Sequence, residues 1–350
     1  MAEFDLIERY FNFHYDFSSD SADSSSSKNA KNTKKSQKPC VVKGIGDDCA
    51  IFEIPEKYQL VTSTDTLVDG VHFFSELAPE LIAHKALAAN VSDLAAMGAK
   101  PLAFTLSISL PNVSEDWLKG FSAGLKRASE LFKVPLVGGD TTQGPLNINI
   151  TAYGSVKKGR LLLRDKAKIN DDIWVTGYLG EAAAALELES KALDGEQELT
   201  DAEQALWNAL TKPVPPLRFA RKLTKLSLCG LDISDGLMAD LGHILNKSNC
   251  GAKLAVESLP ISDASVNVVG LEQAQQFALN GGDDYQLCFT ASHKNRNKIL
   301  NLAERFDTNV TRIGQIVERG QDEPKLKAEL NGKLFKTNRA SWQHFNKDKS

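Results

Sequence analysis

The sequence predicts a two-domain α/β protein, mixed rather than purely alternating in its strand directions (α+β in the broader sense). Three observations carry the prediction: the length, the alternation of strand-like and helix-like segments, and a break in that alternation near residue 160. A chain of 350 residues favours two domains over one. Its composition, 42% hydrophobic and 25% charged, is that of an ordinary globular protein. We place the division after residue 158, giving domains of residues 1–158 and 159–350.

The elements follow in order. Phe4, Leu6, Ile7, Tyr10 and Phe11 fall near helical spacing and predict a short amphipathic helix. Ser18 to Pro39 is rich in Ser, Lys and Asn with almost no apolar residue. Such a segment buries too little surface to offset its ordering entropy, so a disordered insert is expected there. Strands are expected at Ile51–Ile54, Leu60–Ser63, Leu102–Leu110 and Leu146–Val156, and helices at Leu81–Met97 and Glu115–Phe132. Leu161–Asp172 reads as the connection into the second domain. There, strands are expected at Ile173–Thr176, Lys253–Val256, Gln286–Thr290 and Val310–Val317. Helices are expected at Glu181–Leu193, Asp201–Leu210, Leu217–Leu226 and Met238–Asn249, with the PVPP run at Pro213–Pro216 breaking the chain between two of them. The pattern is mixed α/β.

Composition excludes several classes. A formal charge of -4 gives no nucleic-acid surface. No apolar run is long enough to span a bilayer, and the start MAEFDLIERYF has none of the parts of a signal peptide. The five cysteines, Cys40, Cys49, Cys229, Cys250 and Cys288, form no C-x-x-C pair. They read as buried or idle thiols in a reducing, cytoplasmic compartment. The P-loop, the protein-kinase signatures, G-x-S-x-G, H-E-x-x-H and the dinucleotide glycine fingerprint are all missing.

What the sequence offers instead is carboxylates. Asp47 and Asp48 follow GIG; Asp65 ends an apolar strand in LVTSTDT; Asp93 lies in NVSDLAAMGAKP; Asp140 closes the strand-like PLVGGDTT; Asp232 and Asp235 lie in LDISDG; Asp283 and Asp284 follow NGG. At any one position, a turn or cap is the plainer reading, because aspartate bonds its own backbone. Asp240 and Asp263 read that way, as caps or surface residues. Five or more clusters of aspartate with glycine and hydroxyl residues point elsewhere. Glycine admits close ligand approach, and carboxylate and hydroxyl oxygens suit hard cations such as Mg²⁺. Carboxylates aimed at one place become tolerable when cations share the site, and useful when the ligand is a polyphosphate.

In their order along the chain, GIGDDCAIF, TSTDTLVDGVHF, NVSDLAAMGAKP, LVGGDTTQGP, DISDGLMADLGHI and NGGDDYQLCFT resemble the thiamine-monophosphate kinase family. That family lies within the aminoimidazole-ribotide synthetase-like ATP enzymes. The resemblance spans nearly the whole chain outside Ser18–Pro39. It implies the two-domain aminoimidazole-ribotide synthetase-like fold, each domain a mixed sheet packed with helices, with the active site between domains. It also implies a homodimer built through the N-terminal, ATP- and metal-binding domains. The implied reaction transfers the γ-phosphoryl of ATP to thiamine monophosphate, the last step to thiamine diphosphate, with several Mg²⁺ ions. By the same resemblance, Asp48, Ser63, Thr64, Asp65, Asp93, Asp140, Asp232 and Asp235 are the implied metal ligands. Gly139, Arg164 and Ser234 are implied to meet ATP, and His72, Asp283 and Trp342 to line the thiamine pocket.

The chain departs from the family pattern at GGDDYQ, where G-G-E-D-Y-E is usual. Asp283 is one methylene shorter than glutamate, and Gln286 removes a charge. Sister enzymes fit less well. A selenophosphate synthetase would want a reactive cysteine or selenocysteine near the first glycine motif, where only Cys40 stands upstream; a hydrogenase-maturation relative would want a C-terminal cysteine, and this sequence ends NKDKS. The helix after DISDG offers backbone N–H groups to a phosphate, with capping by Ser234 or Asp235 as the alternative. The attacking atom in the implied reaction is a phosphate oxygen already ionised near neutral pH, since a phosphomonoester's second pKa is roughly 6. The work left is neutralising and aligning two polyanions, which needs ligands for cations rather than a strong base.

Overall fold

The computed structural model describes residues 3–13, 38, 40–45, 49–194, 198–320 and 325–338. Asp47, Asp48, Trp342 and, apart from Lys38, the Ser18–Pro39 segment lie outside the described residues. The chain divides into two compact units: Met1–Asn90 with Pro101–Lys158, and Val91–Lys100 with Gly159–Ser350.

The first unit begins with α1 (Glu3–Tyr10), β1 (Cys40–Lys43), β2 (Ile51–Glu53), β3 (Tyr58–Val68) and α2 (Pro79–Ala96). It continues with β4 (Lys100–Leu110), α3 (Glu115–Phe132), β5 (Leu136–Gln143) and β6 (Asn147–Lys157). A four-stranded sheet has the order β3-β6-β4-β5. β3 and β6 run antiparallel over their whole length, from Tyr58 opposite Lys157 to Val68 opposite Asn147. β4 and β5 run parallel. Ile148, Ile150 and Ala152 are buried at every second position of β6, the period of a strand with one face on a core. α3 starts at Ser114, whose hydroxyl accepts from the Trp117 N–H, and stops at Lys133 in the left-handed region (φ 55°). It buries Leu118, Phe121, Leu125, Ala128 and Phe132 on one stripe. Gly124 lets it touch the α2 backbone, because a Cβ there would lie 2.4 Å from Glu80.

The second unit contains β7 (Asp171–Thr176), α4 (Glu181–Ala185), α5 (Glu189–Asp194), α6 (Asp201–Thr211), α7 (Leu217–Leu223), β8 (Cys229–Ile233) and α8 (Leu237–Ser248). β9 (Gly251–Ala255), α9 (Asp263–Val269), α10 (Leu271–Asn280), β10 (Gln286–Ser292), α11 (Arg296–Arg305), β11 (Val310–Val317), β12 (Leu326–Leu330) and β13 (Lys333–Leu334) complete it. Its sheet has the order β13-β12-β9-β11-β7-β10-β8, antiparallel except where β12 joins β9. Both faces are covered. Ile173, Val175, Leu231, Ile233 and Cys288 share a core with Leu241, Ile244 and Leu245 of α8. Trp174, Leu287 and Phe289 alternate into a second core with Phe219 and Leu223 of α7 and Ile299 of α11. A sheet buried on both sides reads as continuous apolar runs, which is why β7 and β10 stood out in the sequence.

Several expectations need correction. Glu181–Leu193 is not one helix: α4 gives way to a 3₁₀ turn at Leu186–Leu188 before α5. The tighter turn buries Leu188, whereas α5 buries nothing. α7 stops at Leu223, short of Leu226. The strand β8 was not foreseen, because Gly230 and Asp232 interrupt its apolar run. Helices α9, α10 and α11 and strands β1, β12 and β13 also escaped the periodicity. α10 buries Gln275, Gln276 and Asn280 beside its apolar residues, which blurs any hydrophobic stripe. Asp65 does not end its strand, and β5 runs on past Asp140 to Gln143. In both cases, pairing with a neighbouring strand continues beyond the apolar residues.

Candidate functional site

In the first unit, β3 carries Ser63, Thr64 and Asp65. Successive strand residues face opposite ways, so Ser63 and Asp65 share a face that Thr64 does not. The Thr64 hydroxyl instead meets that of Thr151, its partner on β6, at 2.7 Å. The Asp65 N–H is held at 3.3 Å by the side-chain oxygen of Asn90, whose amide nitrogen in turn donates to the Ala86 carbonyl. Asn90, on α2, is fully buried. Asp140 sits on β5 opposite Ser107 of β4. β3 and β5 are the two edges of the sheet, so Asp65 and Asp140 are three strand spacings apart, each about 4.8 Å. The neighbouring Gly139 is obligatory: a Cβ there would stand 1.8 Å from the Leu106 carbonyl oxygen.

His72 closes a turn after β3. Its Nδ1 accepts from the Val68 N–H at 3.0 Å, and its own N–H returns to the Val68 carbonyl. An accepting Nδ1 puts the proton of the neutral ring on Nε2, making that nitrogen a donor. The His72 carbonyl accepts from the ammonium of Lys85, a lysine only 4% exposed.

In the second unit, Asp232 lies on β8 and is 6% exposed. The Ser92 hydroxyl donates to its Oδ2 at 2.7 Å. Burial first, then the nearby Asp93 carboxylate, hold the Asp232 carboxyl well above the ordinary carboxylate range. Ser92 and Asp93 come from the last turns of α2, which belong to this unit. A buried carboxyl beside a half-buried one is stable in two ways: the pair keeps a proton, or it shares a cation. With the Ser92 hydroxyl they form an all-oxygen donor set, which fits Mg²⁺ chemistry. Among the described residues no three His, Cys, Asp or Glu side chains are grouped as a metal set. Mg²⁺ commonly fills the positions that carboxylates leave with water or phosphate oxygens.

The segment after Asp232 corrects another expectation. Neither Ser234 nor Asp235 caps α8, and the N–H groups of Ser234, Asp235 and Gly236 are not open to a phosphate. All three donate to one oxygen of Asp240, at 3.0, 3.0 and 3.1 Å. Asp240 is 4% exposed and so not a surface residue. Asp263 is a surface residue as expected, the exposed first residue of α9, whose cap is Ser262.

The NGGDDYQ segment runs alongside. The Asp283 N–H donates to the Ser234 carbonyl at 2.8 Å and the Tyr285 N–H to the Ile233 carbonyl at 2.9 Å. Asp283 and Tyr285 both take positive φ (64° and 49°), and the Tyr285 hydroxyl donates to the Asp283 carboxylate at 2.9 Å. Asp284 turns inward and accepts the Gly180 N–H with both oxygens, while burial raises its pKa well above the usual range. Gln286 accepts from the Thr176 hydroxyl at 2.7 Å, a bond between neighbouring strands that an amide makes without a charge to bury. Arg164 is exposed, and its carbonyl accepts from Ser248.

Sequence reading missed Lys85, Asn90, Ser92, Asp240 and Asp284 as supports. The legible signal was polar residues, Lys85, Asn90 and Ser92 among them, inside the largely apolar run LIAHKALAANVSDLAA.

The comparisons with known proteins agree with this architecture. Residues 46–156 match the family model "AIR synthase related protein, N-terminal domain", and residues 168–327 the corresponding C-terminal domain. The chain is thus an AIR synthase-related protein of two domains. It is 39% identical over 322 residues to the thiamine-monophosphate kinase of Haemophilus influenzae, covering 92% of this chain and 91% of that one. The Escherichia coli (strain K12) thiamine-monophosphate kinase is 44% identical over 275 residues, 78% of this chain and 83% of the relative. Among solved structures, the thiamine-monophosphate kinase of Stenotrophomonas maltophilia K279a superposes with a TM-score of 0.77 at 42% identity, covering 84% of this chain and 92% of that one. AaThiL complexed with AMPPCP and TMP superposes with a TM-score of 0.72 at 30% identity, over 84% and 89%. The protein belongs to the thiamine-monophosphate kinase family.

Proposed function

We propose that this protein transfers the γ-phosphoryl group of ATP to the phosphate of thiamine monophosphate, forming thiamine diphosphate and ADP, with Mg²⁺ as the assisting cation. The observation that carries the reading is the buried Asp232 carboxyl with the half-buried Asp93 carboxyl and the Ser92 hydroxyl beside it, an arrangement that a divalent cation neutralises. A relative of known name bound to an ATP analogue and TMP supports the same substrates.

Bound Mg²⁺ would supply charge neutralisation at the phosphates. Asp48, Asp65, Asp93, Asp140, Asp232 and Asp235 are the proposed ligands, with Ser63 and Thr64 lending oxygen atoms. Asn90 holds the backbone of Asp65, and Ser92 orients Asp232. Gly139, Arg164 and Ser234 meet ATP in this reading; the guanidinium of Arg164 suits phosphate oxygens because its fork matches their geometry. His72, Asp283 and Trp342 contact the thiamine moiety. No side chain is required as a strong base, because the acceptor phosphate is ionised at neutral pH. We also read the protein as a homodimer.

Purified protein with Mg-ATP and thiamine monophosphate should yield thiamine diphosphate and ADP in equal amounts. Folded protein that forms no thiamine diphosphate would overturn the reading. Asp65→Asn should stay folded and lose at least about a hundredfold in turnover, in line with the loss of charge at a metal-assisted phosphoryl site. Wild-type turnover in that variant would reject the metal role of Asp65.

A further inference from the structure

The three consecutive N–H groups of Ser234, Asp235 and Gly236 would form a ready anion cradle at the start of α8. The protein fills that cradle with its own carboxylate: Asp240 Oδ2 accepts all three, and the Asp240 N–H returns to the Gly236 carbonyl at 3.0 Å. The loop so fixed is shut against its neighbour. A Cβ on Gly236 would fall 2.7 Å from the Asn280 backbone, and one on Gly282 would fall 2.4 Å from the Ser234 carbonyl oxygen. With the Asp283 and Tyr285 N–H bonds, the two acidic segments hold one another in a single geometry.

We propose that Asp240 is a positioning residue for the phosphoryl-transfer site. It occupies the amide cradle that a phosphate would otherwise take, and so fixes the backbone of Ser234, Asp235 and Gly236 that follows Asp232. Phosphate oxygens then meet this loop through cations on the aspartate side chains rather than through its backbone. Asp240 touches no reactant. The proposal rests on the kinase reading for its kinetic consequences, while its structural part stands apart from that reading.

The test uses the full chain with Asp240→Ala and Asp240→Asn. Amide hydrogen exchange in the peptide spanning residues 233–240 should speed up at least tenfold in Asp240→Ala, with β10 peptides protected as in the wild type. The Mg²⁺ concentration for half-maximal turnover should rise tenfold or more. Asp240→Asn, which keeps one acceptor oxygen, should recover a substantial part of both. If Asp240→Ala fails to fold, Asp240→Asn carries the test alone, and raised Mg²⁺ demand with faster exchange at 233–240 supports the proposal. Exchange at 233–240 unchanged in a folded variant overturns it, as does unchanged Mg²⁺ dependence. Absence of turnover in the wild type would refute the kinase reading and leave the exchange result to judge Asp240.

Discussion

Asp240 and Asp232 illustrate how one residue type serves different ends within nine positions. Asp232 faces another carboxyl and a hydroxyl, whereas Asp240 faces three N–H groups. Burial nonetheless outweighs those bonds and pushes the Asp240 carboxyl up to about 6. The sign follows. The folded state keeps the Asp240 proton to higher pH than the unfolded state, so the stabilisation of the protonated form is fully present below about pH 4 and lost as pH rises through about 6. Asp284 shifts in the same direction, also chiefly by burial. In metal-free protein, the stability difference between wild type and Asp240→Asn should therefore move against the wild type by on the order of 3 kcal/mol between pH 4 and pH 7. Thermal or urea melts across that range check this; a difference independent of pH would exclude an elevated Asp240 pKa. The residues that do this bracing were hidden in the sequence for a simple reason. Aspartate at a ligand site and aspartate under a loop look alike until their neighbours are known.

At the scale of elements, the long regular pieces were legible and the interrupted ones were not. α3 falls where periodicity put it, because it has a clear buried stripe and clear ends. β8 was invisible because an aspartate within a buried strand breaks its apolar run. The GGDTT motif shows what a strand pair demands of sequence. β4 and β5 approach so closely at Gly139 that no side chain fits against Leu106. Gly139→Ala should therefore destabilise the protein by about 3 kcal/mol or more, or prevent soluble folding, as overpacking against backbone does. A melting temperature within a degree or two of the wild type would contradict this.

Across the whole molecule, the two compact units correspond to two matched domain models, and α2 contributes residues to both units. Among the described residues, no helix is long and apolar enough to cross a membrane. Cys229, Cys250 and Cys288 are buried free thiols, whereas Cys40 and Cys49 are exposed and free. Homodimerisation is a property of the assembled surface, and sedimentation equilibrium at micromolar concentration should return twice the mass of the chain. A monomer at that concentration would remove the dimer from the proposed function.

The sequence by itself determined the α/β class, the family and the set of acidic motifs, because a hydrophobic period and an ordered series of glycine–aspartate clusters are local properties of the chain. Tertiary structure alone decided which carboxylates face each other and which face the backbone. Ser92 and Asp232 are 140 residues apart in the chain yet share a 2.7 Å hydrogen bond. Asp240 lies only a few residues from the amides it holds, yet its role depends on the turn of α8 that aims it back at them. Burial and direction set the charge state of a carboxylate, and both come from neighbours brought near only by folding.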